Sequence, residues 1–140
     1  SPMGMFASAV SDKASIERLV RPLGTAFWLA SEDEMDAVTA LAGSGPAFVY
    51  RFIDALAQAG AKLGLDEATA LGLAKAMVEG SALLAADSDE KPDELARRVR
   101  RPGGTTAAGL AMLDSHDQLK NLVLATLTAA RDRGAELAKS

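Results

Sequence analysis

The residues best suited to chemistry in this chain are Pro102, Gly103, Gly104, Thr105 and Thr106, in the stretch "VRRPGGTTAAGL" (99–110). A helix that starts after two glycines presents unpaired backbone N–H groups and the positive end of its dipole, with no side chain to block an anion. Gly103 and Gly104 clear that space, and two threonine hydroxyls stand beside it, each able to donate to a ligand atom. Such a pocket suits a carboxylate or a phosphate. The plain alternative is a capped helix, since Thr is also an ordinary N-cap. "AGSGPAF" (42–48) raises the same choice. There Gly43, Ser44, Gly45 and Pro46 put a second helix N-terminus, with little side-chain cover, at a proline suited to the first helical turn.

The remaining candidates offer less. Arg97, Arg98, Arg100 and Arg101 form a basic run ahead of the glycines. It reads as a solvated face, with an anion role open to the arginines that adjoin the glycine pair. Asp33, Glu34 and Asp36 read as helix-start acids favoured by the dipole rather than as a carboxylate dyad. His116, the single histidine, stands in "LDSHDQL" just inside a helix start and reads as a solvated helix-end residue. The lack of cysteine excludes disulfides and thiolate metal sites, and no metal site is expected. There is no Gly-x-Gly-x-x-Gly after a strand, no Walker loop and no Ser/His/Asp set.

Any such site must be positioned by helices. With 140 residues, 49% hydrophobic and 24% charged, the chain has the size and composition of one globular domain. Residues 12–20 put Ile16, Leu19 and Val20 on one side of a helix that ends before Pro22. "TAFWLA" (25–30) is too short for a helix and reads as one extended strand. "SEDEMDAVTALAG" takes Ser31 as N-cap and ends at Gly43. A helix from about Pro46 to Leu63 follows, with Phe48, Phe52, Leu56 and Leu63 near one stripe and Gly64 closing it. Asp66 caps the next helix, whose Ala, Gly and Ser residues suit tight packing on several sides. "KPDELARRVR" is a short helix leading to the glycines. One helix then reaches about Leu113, and the last runs from Asp114 or Ser115 to the end. The expected fold is all-α.

The net charge of −4, a sequence pI near 5.0 and 4% aromatic residues argue against a nucleic-acid partner. No apolar run approaches the ~20 residues that span a bilayer, and no basic-then-apolar signal opens the chain. A cytoplasmic protein with no membrane partner is expected. Residues 1–3, "SPM", are set aside as a cloning scar. "NLVLATLTAA" is apolar almost all round. A chain this small buries such a helix in a partner subunit, so a homodimer or a multiple of one is expected.

In this order and at this separation, the motifs resemble the C-terminal domain of pyrroline-5-carboxylate reductases. That family carries T-A-L-x-G-S-G-P-A-[YF], matched by "TALAGSGPAF" (Thr39–Phe48). It also carries P-x-x-L-x-x-x-V-x-S-P-G-G-T-T-x-x-G-L, matched by "PDELARRVRRPGGTTAAGL" (Pro92–Leu110). "AKLGL", "GSALL" and the tail "RDRGAEL" resemble further family segments, so the likeness covers nearly the whole chain. It departs at one position, where the family's serine before Pro-Gly-Gly is Arg101.

The resemblance implies an interlocked helical dimerisation and substrate-binding domain over residues 31–140, similar to the 6-phosphogluconate dehydrogenase C-terminal-like fold. Residues 4–30 would link it to a Rossmann domain that this sequence lacks. The implied activity is NAD(P)H-dependent reduction of 1-pyrroline-5-carboxylate to L-proline. NADPH or NADH would be held mainly by the absent domain, and this chain alone would be inactive. By the same resemblance, Gly104, Thr105 and Thr106 hold the substrate carboxylate through backbone amides, with Gly103 also at the substrate, and the Thr106 hydroxyl is the catalytic group facing the ring nitrogen. Arg101 and Asp89 would stand near the substrate, with Gly43, Ser44, Gly45 and Pro46 beside the nicotinamide. Two other classes stay open: a non-catalytic helical oligomerisation module, and a related imine or keto-acid reductase domain.

Overall fold

The computed structural model describes residues 2–5, 12–31 and 33–140, for 2–5 the backbone only. Residues 6–11, part of the expected link, lie outside the described residues, as do Ser1 and Glu32. The elements in chain order are β1 (Pro2–Met5), α1 (Lys13–Val20), β2 (Thr25–Trp28), α2 (Glu34–Val38), α3 (Gly45–Lys62), α4 (Glu67–Asp87), α5 (Pro92–Val99), α6 (Thr105–Asp114) and α7 (Gln118–Lys139). Short turns of tighter or wider helix lie at Arg21–Leu23, Thr39–Gly43 and Ser115–Asp117. The domain is helical as expected, with one addition. β1 and β2 pair in parallel, Pro2 opposite Thr25 and Met5 opposite Trp28. Pro2 and Met3, set aside in the sequence, therefore take part in a ladder, and "TAFWLA" does contain a strand.

The chain divides into two compact units, residues 1–46 with 123–140, and residues 47–122. In the first, α1 starts where the Asp12 carboxylate accepts the Ser15 N–H at 3.0 Å. The Trp28 indole N–H donates to the Glu17 carboxylate, and Lys13 Nζ lies 4.9 Å from the Trp28 ring centre. Together these tie α1 to β2 through a hydrogen bond and a cation–π contact. Ser31 does not cap α2. Its carbonyl accepts the Glu34 N–H at 3.4 Å, and the Glu34 carboxylate reaches back to the Ala30 N–H at 2.9 Å. Asp33 takes the N-cap position without a side-chain bond. Nor does "GSGP" break the chain. Ser44 keeps helical dihedrals (φ −87°, ψ −23°) and its N–H donates to the Thr39 carbonyl at 2.9 Å, so helical backbone runs almost unbroken from α2 into α3.

In the second unit, Gly64 (φ +107°) ends α3 in a Schellman arrangement. The Leu65 N–H reaches the Gly60 carbonyl at 3.2 Å and the Gly64 N–H the Ala61 carbonyl at 3.0 Å. The Asp66 carboxylate caps α4 by accepting the Thr69 N–H at 3.1 Å. α3 and α4 approach closely at Gly60, where an added Cβ would sit 3.3 Å from the Ala70 Cβ. The buried residues of this unit are Ala57, Ala70 and Ala74 alone among the described residues. The stripe on α3 does not close into a core: Phe52 is half exposed and Leu63 is 88% exposed. α4 likewise leaves Leu71, Leu73, Met77, Leu83 and Leu84 exposed. Beside Gly72 and Gly80 of α4 nothing lies within 4 Å of where a Cβ would be.

One expectation about α4 must be corrected. Its 21 residues, with a mean hydropathy of 1.2 over the most apolar window, are long and apolar enough by composition to cross a membrane. The alternation of Ala, Gly and Leu hides this when only unbroken apolar runs are sought. Lys75 stands near its middle, where a bilayer would exact about 3 kcal/mol. Protein cover suits this helix better than lipid.

Candidate functional site

The awkward residues at 101–104 form a turn with a physical reason for each glycine. The Gly104 N–H donates to the Arg101 carbonyl at 3.0 Å, Pro102 holds the second corner, and Gly103 has φ +71°. That is a type II arrangement, which needs glycine at its third position. Gly104 is the N-cap of α6, extended at φ −85°, ψ 172°. A Cβ there would lie 3.2 Å from the Arg101 carbonyl oxygen, tighter than an ordinary contact. One glycine is required by its dihedral and the other by close approach.

What this turn delivers is a bare helix start. No side chain caps α6, and the Gly104 N–H is used by the turn. The N–H groups of Thr105, Thr106 and Ala107 make no hydrogen bond among the described residues. Thr105 is exposed and Thr106 half-buried, and neither hydroxyl has a partner there. Three amides, two hydroxyls and a positive helix end can together receive one carboxylate or phosphate group.

The basic run divides. Arg97 pairs with Asp93 at exposed positions, and Arg98, also exposed, pairs with the half-buried Glu90. Arg100 and Arg101 are exposed and enter no ion pair among the described residues. Arg101 is thus an uncommitted cation whose own carbonyl closes the turn. Asp89 is exposed in the connection between α4 and α5, and no hydrogen bond or ion pair joins it to the start of α6.

Gly43–Pro46 belong to the first unit, whereas Asp89, Arg101 and Gly103–Thr106 belong to the second. Because Ser44 has spent its N–H on Thr39 and Pro46 has none, this motif offers fewer free donors than a helix N-terminus should. Beside Gly45 nothing lies within 4 Å of where a Cβ would be. The segment is an open, small-residue surface rather than an anion cradle. No group of three or more His, Cys, Asp or Glu could hold a metal among the described residues.

Sequence reasoning missed one feature nearby. His116 (φ 53°) and Asp117 (φ 52°) are both left-handed, so α7 begins at Gln118 rather than at Asp114 or Ser115, and His116 lies outside it. The polar run Asp114–Ser115–His116–Asp117 between two apolar helices was the available signal, since Asn, Asp and His are the side chains most often found there.

A helical domain with large unburied apolar faces, one of whose helices starts in bare amides, is a subunit-association domain with room for an anionic ligand. The profile of the pyrroline-5-carboxylate reductase dimerisation family matches residues 32–137. The chain belongs to that family. It is 40% identical over 139 residues to the pyrroline-5-carboxylate reductase of Pseudomonas aeruginosa, covering 97% of this chain and 50% of that protein. Against the enzyme of that name from Pisum sativum the identity is 38%, over 98% of this chain and 50% of the relative. The chain spans about half the length of the curated relatives it matches. Among solved structures, a pyrroline-5-carboxylate reductase from Coxiella burnetii superposes with a TM-score of 0.89 at 35% identity, over 97% of this chain and 51% of that one. Pyrroline carboxylate reductase from Plasmodium falciparum, solved with NADP bound, gives 0.75 at 30% identity, over 93% and 51%.

Proposed function

We propose that this chain is the dimerising, substrate-holding domain of an NAD(P)H-dependent pyrroline-5-carboxylate reductase, which makes L-proline. The observation that carries the reading is the start of α6, where three amides without partners among the described residues follow a glycine turn inside the family-matched region. The substrate places a carboxylate next to the nitrogen of a cyclic imine. Held by the Thr105 and Thr106 amides, with the exposed Arg101 adding positive charge, that carboxylate sets the ring nitrogen near the Thr106 hydroxyl. The hydroxyl then donates to the nitrogen as the C=N carbon gains hydride and the nitrogen gains a proton. A reduced nicotinamide supplies the hydride when bound. The described residues fit a contact with that group rather than its full grip. Open space at Gly45 admits a flat ring, while the scarcity of free amides at Gly43–Pro46 suits no phosphate. The relative with NADP bound supports the cofactor class. Pairing into a homodimer through α4 and α7 is part of the same proposal.

The test uses the full-length protein, following NADPH oxidation with 1-pyrroline-5-carboxylate. Thr105 is the first residue of α6, where proline is tolerated, and Gly104 before it already has the extended backbone that a proline requires. Thr105→Pro therefore removes one amide donor and keeps the helix. Relative to Thr105→Ala, it should raise KM for the pyrroline about tenfold, as for one hydrogen bond to a charged group. Equal KM values remove the amides from binding. The 140-residue chain alone should neither turn over nor bind NADPH, and turnover by it would overturn the domain assignment.

A further inference from the structure

Ser115–Asp117 joins α6 to α7 through two successive left-handed residues, His116 (φ 53°, ψ 30°) and Asp117 (φ 52°). Neither is glycine. A Cβ disfavours that backbone, so it persists only where the surroundings hold it. Here polar side chains do so. Ser115 Oγ lies 2.9 Å from His116 Nδ1. The Asn121 amide donates to the His116 carbonyl at 3.3 Å, and the Gln118 amide donates to the Met112 carbonyl near the end of α6. The elbow is thus fastened to α6 through Gln118 and to α7 through Asn121.

We infer that His116 and Asp117 are positioning residues that confine the elbow to one angle and so hold the Thr105 and Thr106 amides, at the far end of α6, where the carboxylate binds. The inference rests on the carboxylate reading above. Its physical basis is leverage. α6 has 10 residues and is about 15 Å long, so a swing of about 10° at the elbow carries its first amides about 2.6 Å. A displacement of that size takes an amide out of hydrogen-bond reach of the carboxylate, and one lost hydrogen bond to a charged group weakens binding about tenfold. Two glycines make the same bend without strain but over a broad range of dihedrals. Side chains at 116 and 117 exchange some stability for a narrower elbow.

The experiment compares two double variants of the full-length enzyme. His116→Gly with Asp117→Gly keeps the bend accessible and loosens it. KM for 1-pyrroline-5-carboxylate should rise about tenfold, as for one hydrogen bond to a charged group, while KM for NADPH, subunit assembly and helix content stay as in the parent. His116→Asn with Asp117→Asn keeps a Cβ and tolerates left-handed backbone, and should retain the parent KM. An unchanged KM in the glycine variant overturns the inference. An equal loss in the asparagine variant also overturns it, since the imidazole and carboxylate, not the backbone, would then be responsible. Thr105→Pro, measured alongside, separates the two ideas. If it is silent, the carboxylate reading fails and this one with it; if it raises KM while the glycine pair does not, only the elbow fails.

Discussion

Thr106 and Arg101 flank one turn and, under the proposed function, would act at different stages. If the Thr106 hydroxyl contributes most as charge shifts onto the ring nitrogen, as proposed, Thr106→Ala should lower kcat by roughly 10- to 1000-fold with a smaller change in KM. Steady-state kinetics of the full-length enzyme decide it, and an unchanged kcat takes Thr106 out of the mechanism. Arg101 holds a guanidinium that enters no ion pair among the described residues, at the one position where the sequence departs from the expected motif. Arg101→Ser should weaken carboxylate binding by on the order of 1.5 kcal/mol, a KM rise of about tenfold. A fall in KM would mean that the arginine obstructs the pocket. Residue types alone left a bare anion-binding helix start and a plain capped helix both open at Gly103–Thr106, and the family resemblance favoured the first. They did not distinguish Gly103, needed for its positive φ, from Gly104, needed for its approach to Arg101. Asp89 is the residue that geometry leaves unsupported.

At the scale of elements, helices whose ends are set by local chemistry were legible. Asp12 and Asp66 cap where their side chains can reach an N–H three residues on, and Gly64 stops α3 because only its backbone bends that way. Ends set by neighbours were not. Ser31 yields to Glu34, whose carboxylate satisfies Ala30, and the small residues of "GSGP" stay helical where propensity favours a break. The left-handed pair was hidden because neither residue is glycine. The Asp12 cap has a testable pH dependence. Hydrogen bonds from the Ser15 hydroxyl and then the Ser15 N–H hold its carboxyl below the ordinary value of 3.8. Across that range the native chain binds fewer protons than the unfolded one. The cap's contribution is therefore complete above pH 3.8 and is lost as pH falls toward the lowered value. Amide exchange at Ser15 should be protected near neutral pH and lose that protection in acid. Asp12→Ala should remove it at every pH, and protection that survives in the variant excludes the cap.

For the whole molecule the question is what covers the apolar side chains. Among the described residues, those buried in this chain are alanines: Ala40, Ala57, Ala70 and Ala74. Leucines on α4 and α7 face outward instead, Leu122 and Leu124 both at 66% exposure. Fully burying one such side chain is worth about 1.5–3 kcal/mol, and a domain's net stability is only about 5–15 kcal/mol. Leaving so many outside is incompatible with a stable free monomer. A second copy offers the same faces and so a two-fold, self-complementary contact. Light scattering after size exclusion should therefore give a dimer, or a multiple of one, at micromolar protein. Leu124→Asp discriminates sharply. On a free-standing monomer an exposed leucine tolerates the change within about 0.5 kcal/mol. In a buried apolar interface it leaves a charge without a partner, and folded helix signal should disappear together with the dimer. A soluble, well-folded monomer of either the parent or the variant would show that the exposed leucines need no partner.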